Sequence, residues 1–377
     1  PAFSQKAPGG NPGIAPRTIP SRPLRAFWHP LADRPVPVAR ANLYAAALLI
    51  LPPAITRHTM LTLTRLFLIF ASLLLGPLEV MADELPEDTS TIGSLTVKQA
   101  QELAGVTRPE LFLNGLKTLD VDTAKALAGF KGQNLHLNGL KALDTDTAKV
   151  LAAFKGIGLF LNDLKTLDVD TAKALAEFQG FGGLYLNGLK TLDIDAAKAL
   201  AESASENLHL DGLTSLDAET AKALVAFKGS GLLLNGLTGL DATTAGVLVK
   251  YEGKAIWLDG LKAIGPEAAE ALAKFNGHVL SLSGLRGLDA DTAKALAAFG
   301  GFFLSLDGLI RLDAQTAKAL AEFTGQDLNL NGLKTLDVDT AKALAEFKGK
   351  ELGLRGLTTL GAEAEKALQT FEGSLSR

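Results

Sequence analysis

From Leu111 onward the apolar positions fall into one pattern that returns every 24 residues. In "LFLNGLKTLDVDTAKALAGFKG", residues 111–132, the period-2 alternation of Leu111-Phe112-Leu113 predicts a short strand with both leucines facing inward. Asn114-Gly115 reads as a turn in which glycine accepts positive φ, and Leu116 and Leu119 bring the chain back inward. Ala124, Leu127 and Ala128 stand at i, i+3 and i+4, one face of a helix. Phe130 closes that helix, and Gly132 reads as its C-terminal stop.

The same unit opens at Leu111, Leu135, Leu159, Leu184, Leu208, Leu232, Ile256, Leu280, Leu304, Leu328 and Leu352, with one 25-residue unit beginning at Leu159. Eleven such units over residues 111–377 predict a solenoid in which each unit buries its apolar face against its neighbours. Residues 83–110 read as a linker and N-terminal cap, because Ile92, Leu95, Ala100 and Leu103 run in phase with Leu116, Leu119, Ala124 and Leu127. The place of Ala124 is alanine in every unit through Ala341, so neighbouring helices pack closely and curvature is expected to be gentle. In the last unit Glu365 takes that place and Gln369 replaces the Ala or Val four residues on. A charge there is costly under a further unit, so residues 353–377 read as a polar C-terminal cap where the array ends.

The carboxylate pair Asp120/Asp122 invites a metal or phosphoryl reading. It recurs at 144/146, 168/170, 193/195, 289/291 and 337/339, at the start of each expected helix. A catalytic site is built once, whereas a cap is built in every unit. Asp120 therefore reads as the N-cap and Asp122 as a first-turn charge favoured by the helix dipole.

The consensus LxLNGLxxLDxDTAKALAxFxG resembles bacterial leucine-rich repeats, especially the 24-residue Ala-rich repeats of exported planctomycete proteins. The resemblance runs from Leu111 to Gly373. It implies an α/β repeat solenoid with short parallel strands on the concave face and short helices on the convex face. It also implies binding or scaffolding without a specified ligand. The sequence departs from the common pattern at two places. Gly132 stands where a leucine three residues before the strand pair is usual, and Leu116 stands where the ladder asparagine is usual.

The N-terminus changes the picture of where the chain works. Residues 1–59 hold eleven of the fifteen prolines and seven Lys/Arg against one acidic residue, Asp33, a composition that does not fold alone. Met60 then opens a short positive region at Arg65, an apolar run from Leu66 to Leu75, a Gly76-Pro77 break and the small-residue end Val80-Met81-Ala82. That layout predicts a signal peptide over 60–82 and an exported remainder, periplasmic, cell-surface or secreted. Residues 1–59 would then be upstream sequence, not part of the native protein. The other reading is a basic tail before a marginal anchor; the ten-residue apolar run is short of the roughly 20 residues a span needs. Residues 83–377 carry 29 basic and 39 acidic side chains, a balance that disfavours nucleic acid as partner. The absence of Cys excludes disulfides, thiolate metal sites and Cys nucleophiles.

No nucleophile elbow, phosphate-binding loop, HExxH or dinucleotide fingerprint occurs, so the chain reads as non-enzymatic and without cofactor. His136 and His209 lie three strands apart, about 14 Å, too far to share a metal ion. The candidate chemistry lies in the outward position of each strand: Phe112, His136, Phe160, Tyr185, His209, Leu233 and Trp257, followed by Ser281, Ser305, Asn329 and Gly353. In a chain with 6% aromatics this predicts a stripe about 29 Å long that binds a glycan, peptide or protein. The competing reading is cross-strand packing of aromatic neighbours. A structural or self-associating envelope scaffold is the alternative function, with the same stripe as homotypic contact.

A second column runs Asn114, Asn138, Asn162, Asn187, Asp211, Asn235, Asp259, Ser283, Asp307, Asn331, Arg355. It reads as the Asx residue of each turn bonding its own backbone, or else as a polar rim for cations or sugar hydroxyls. Asp163 in place of the turn glycine, the "FQGFGG" insertion and Ser203 in place of the closing aromatic form one irregular patch over 163–207. It reads as local repair, or as a bulged rim.

Overall fold

The computed structural model describes residue 86 and residues 88–377. The upstream segment 1–59, the signal peptide expected over 60–82 and the start of the linker lie outside the described residues. Twelve three-residue strands form one parallel sheet in strict chain order. They are β1 (Glu110–Phe112), β2 (Asn134–His136), β3 (Gly158–Phe160), β4 (Gly183–Tyr185), β5 (Asn207–His209), β6 (Gly231–Leu233), β7 (Ala255–Trp257), β8 (Val279–Ser281), β9 (Phe303–Ser305), β10 (Asp327–Asn329), β11 (Glu351–Gly353) and β12 (Ser374–Ser376). Among the described residues one short α-helix precedes each strand, and these twelve helices stack on the other side of the core. This is an α/β repeat solenoid. Among the described residues, no helix is long and apolar enough to cross a membrane.

The strand signal is obeyed at every unit. Leu111 and Leu113 are fully buried while Phe112 between them is 40% exposed. The alanine row is equally strict, with Ala124, Ala148, Ala172, Ala197 and their equivalents through Ala341 without exposed surface. β12 goes beyond the eleven units read from the sequence: Leu375 pairs with Leu352 after 23 residues instead of 24. Before β1, a capping box between Thr96 and Gln99 starts the helix Val97–Ala104, and the Thr89 hydroxyl donates to the Phe112 carbonyl at 2.6 Å.

Nine of the helices among the described residues begin on the expected Asp, whereas Gly265 and Gly361 stand in its place at two others and no side chain caps them. The Thr123 N–H donates to Asp120 Oδ1 at 2.9 Å, and the Thr123 hydroxyl donates to Oδ2 at 2.7 Å. Asp144, Asp168, Asp217 and Asp241 repeat this double contact with Thr147, Thr171, Thr220 and Thr244. The buried threonine is thus half of the cap. These hydrogen bonds, led by the backbone one, hold the capping carboxyls below the usual Asp range. Their contribution is complete above the unfolded Asp value, 3.8, and is lost as pH falls through the folded values. The part of thermal stability that the caps supply should therefore be constant above about pH 5 and be lost as pH falls below about 4. Asp144→Ala should lower stability at pH 7 by about 1 kcal/mol and flatten that acid limb.

Two glycine positions work differently from expectation. Gly132 does not end the helix in a left-handed conformation; Gly129 is the C-cap, with αR dihedrals. Gly132 is glycine because a Cβ would overlap the ring of Phe130 and the Arg108 carbonyl. Gly115, in the turn, likewise needs no positive φ: its Cβ would run into the carbonyls of Ile92 and Ser90 in the N-terminal cap. Close approach between units fixes both. Gly183, at φ 114°, is the one positive-φ glycine among the described residues, and it absorbs the extra residue of the long unit.

The buried aromatics form a spine. Phe130, Phe154 and Phe178 stack at 6.2 and 6.3 Å. Phe227, Tyr251, Phe275, Phe299, Phe323, Phe347 and Phe371 continue it at 5.9–6.3 Å. It is interrupted at Ser203, where Ser203 and Ser205 are both buried and their hydroxyls lie 2.9 Å apart. Strands themselves are spaced about 4.8 Å. Rings on the outward side of the sheet are spaced 3.7–4.3 Å. Spacing therefore widens from the sheet's outer face towards the helices, which makes the sheet face the concave one.

Candidate functional site

The concave face carries two columns, the first and third residues of each strand. Register places Phe112, His136, Phe160, Tyr185 and His209 side by side on β1 to β5, then Leu233 and Trp257 on β6 and β7. Five of the six candidate site residues form one continuous stack: Phe112–His136 at 4.3 Å, His136–Phe160 at 4.1 Å, Phe160–Tyr185 at 3.9 Å and Tyr185–His209 at 3.7 Å. Trp257 stands apart, beyond Leu233, and no aromatic ring stacks on it among the described residues. The rings thus present edges to solvent, because their faces cover one another.

Stacking dries the imidazoles. The side chains of His136 and His209 are each 12% exposed, and both Nε2 atoms are buried without a hydrogen-bond partner. Glu110 Oε2 stands 3.4 Å from His136 Nε2 without hydrogen-bond geometry, and Asp211 Oδ2 stands 4.0 Å from His209 Nδ1. Burial lowers both histidine pKa values below 6.5 and outweighs these carboxylates, so both rings are neutral at pH 7. Burial also raises the Tyr185 phenol above its ordinary value.

The first-position column was not read from the sequence, and it is complementary to the third. Glycine stands at 158, 183 and 231, where the third-position rings and Leu233 are large. A Cβ on Gly158 would meet Phe160 Cε2 at 2.8 Å, and one on Gly231 would meet Trp257 Cζ3 at 2.8 Å. Phe160 and Trp257 therefore lie down over Gly158 and Gly231, as aromatic side chains covering strand glycines do. From β8 the columns exchange: Val279 and Phe303 are large at the first position, and Ser281 and Ser305 are small at the third. Gly followed two residues later by an aromatic was the available signal.

The polar column is structural, but it does not bond its own turns. Asn114 Oδ1 accepts from the Asn138 N–H at 3.2 Å, Asn138 Oδ1 from Asn162 N–H at 3.0 Å and Asn162 Oδ1 from Asn187 N–H at 3.2 Å. The chain of bonds continues through Asn187, Asp211, Asn235 and Asp259 to the Ser283 N–H. It resumes from Asp307 through Asn331 to Arg355. An Asx ladder between units exists after all, one residue beyond the second strand leucine instead of three. A strand spacing near 4.8 Å lets a short side chain reach the next backbone more easily than its own turn.

The irregular patch lies at β4 and β5. Gly183 and Asn207 are not paired there, Phe181 is 74% exposed and the convex side is indented by a groove of about 1010 Å³ lined by Lys149, Lys173, Lys198, Glu177, Glu202 and Ala204, among others. The groove lies on the helix side, away from the ring row. Among the described residues, no three His, Asp or Glu side chains converge to hold a metal ion.

No protein-family model matches the chain, and no curated protein matches it. Among solved structures the chain is similar to an internalin of Listeria monocytogenes, at 14% identity over 75% of this chain and 88% of that one, with a TM-score of 0.36. It is similar to TLR13 in its complex with ssRNA13, at 19% identity over 71% of this chain and 39% of that one, with a TM-score of 0.42. It is also similar to a chain of the yeast Rad7–Elc1 complex, at 13% identity over 82% of this chain and 96% of that one, with a TM-score of 0.35.

Proposed function

We propose that this chain is an exported, non-enzymatic recognition module whose concave face takes an extended glycan or peptide along Phe112, His136, Phe160, Tyr185, His209 and Trp257. The observation that carries the reading is the in-register ring row on an otherwise open sheet face, ending in an unstacked, half-buried Trp257. A stripe of apolar edges in a chain so poor in aromatics serves contact with another molecule. Stacking of the rings on one another favours a second reading, a structural scaffold that associates with its own kind through the same stripe.

Trp28→Phe leaves Trp257 as the single tryptophan of the chain. Its emission and acrylamide quenching should change on adding one class of envelope polysaccharide or peptide fragment, while mass by light scattering stays monomeric on dilution. Mass that falls with dilution, with Trp257 indifferent to every fragment, establishes the scaffold instead.

A further inference from the structure

At β8 and β9 the row of rings steps down to a recess. Trp257 pairs across the sheet with Ser281, and Ser281 with Ser305. Ser281 and Ser305 form the floor, 4% and 3% exposed. Asp259, Ser283 and Asp307 form one rim, and Val279 and Phe303 the other.

The hydroxyl hydrogens of this floor are all spent internally. Ser281 donates to Asp259 Oδ1 at 2.6 Å, and Ser305 donates to Asp307 Oδ2 at 3.1 Å. Ser283 Oγ lies 3.2 Å from Ser281 Oγ and 2.7 Å from Ser305 Oγ, so its single hydrogen goes to one of them. Asp259 Oδ1 is further occupied by the Ser283 N–H, and Asp307 Oδ1 by the Asn331 N–H. What remains unused by these internal bonds is acceptors only, on three half-buried residues: Asp259 Oδ2, the second lone pair of Asp307 Oδ2 and the lone pairs of Ser283.

An acceptor-only floor beside an unstacked indole is matched by a ligand that donates several hydrogen bonds and has an apolar ring face. From the proposed concave-face recognition, on which this inference rests, we infer that this recess is the selecting subsite and that it takes a neutral, hydroxyl-rich sugar ring. Its hydroxyls donate to Asp259, Ser283 and Asp307, and its C–H face lies on Trp257. Asp259 and Asp307 are two strands apart, about 9.6 Å. One metal ion or one ammonium group cannot span that distance, whereas a ring with hydroxyls around it can. Anionic sugars are repelled by the same two carboxylates.

The test uses the full chain carrying Trp28→Phe, with cello-, chito- and malto-tetraose, an anionic oligogalacturonate and a lysine-containing tetrapeptide as probes. Trp257 emission and calorimetry report binding. At least one neutral tetrasaccharide is expected to bind and to shift Trp257, and the oligogalacturonate is not. Asp259→Asn should weaken binding at least tenfold, because it puts an amide donor where an acceptor is needed. Asparagine already serves the ladder at Asn235 and Asn331, so this variant keeps the fold. Ser283→Ala should weaken binding similarly, whereas Lys173→Ala, on the convex helix side, should stay within about twofold of the parent. A neutral sugar whose affinity ignores Asp259→Asn and Ser283→Ala but falls with Tyr185→Ala overturns the recess and leaves concave-face recognition standing. Binding of the peptide alone overturns the sugar. Silence from every probe removes both.

Discussion

Phe275→Ala is expected to cost the array about 3–5 kcal/mol. Phe275 is 2% exposed and sits between Tyr251 at 6.3 Å and Phe299 at 6.2 Å. Removing it opens a cavity at two unit interfaces at once. In a solenoid each unit contacts only its neighbours, so a weak interface in the middle also divides the cooperative block. Urea unfolding followed by circular dichroism should therefore move to lower denaturant and broaden into two transitions. In the Trp28→Phe background, Trp257 emission should report the N-terminal block. A single transition shifted by less than about 1 kcal/mol would mean that the rings fill space without coupling the units.

The second large effect concerns the interruption of the spine. In ten units an aromatic residue is followed two residues later by a glycine, whose missing Cβ leaves room for the ring. At Ser203 the ring is absent, and the glycine is absent with it: Ser205 takes its place. The two serines bond to each other and Ser205 donates to the Asn207 carbonyl at 3.1 Å, so the pair is satisfied without a ring. Ser203→Phe alone should lower stability by about 1–3 kcal/mol, since the ring must overlap the Ser205 side chain and removes its partner. Ser203→Phe with Ser205→Gly should recover the loss and reconnect Phe178 to Phe227. Denaturation of both single variants, the double variant and the parent gives the coupling directly. Simple additivity of the two single effects would sink the idea that ring and glycine form one unit.

The contrast between what was legible and what was not follows from range. Strand, helix and cap are local, so Leu111-Phe112-Leu113, Ala124/Leu127 and Asp120 stated them in the sequence, and the structure places them accordingly. Contacts between units have no such local signature. Gly115 and Gly132 looked like conformational devices until the neighbouring carbonyls were in place. Asn114 looked like a turn residue until the next backbone lay within reach of its side chain. β12 was missed because its spacing is one residue short and no later unit repeats it. For the candidate site, the order of the ring row was legible in the sequence, but the orientation of the rings was not. It also read one column where there are two, so the exchange at Val279/Ser281 and Phe303/Ser305 went unseen.

The ring spacings have a mechanical consequence. Between Phe112 and His209 the concave face is already at contact, down to 3.7 Å between Tyr185 and His209, while the spine behind it keeps 6.2–6.3 Å. That half of the array behaves as a stop: it can be straightened, but curling it tighter would drive rings into one another. From β8 to β11 the third-position residues are Ser281, Ser305, Asn329 and Gly353, the bulk moves to the first position at Val279 and Phe303, and the close ring stack does not continue. The ring stack of β1 to β5 is therefore a one-sided spring, stiff against tightening of the curve and compliant to its opening.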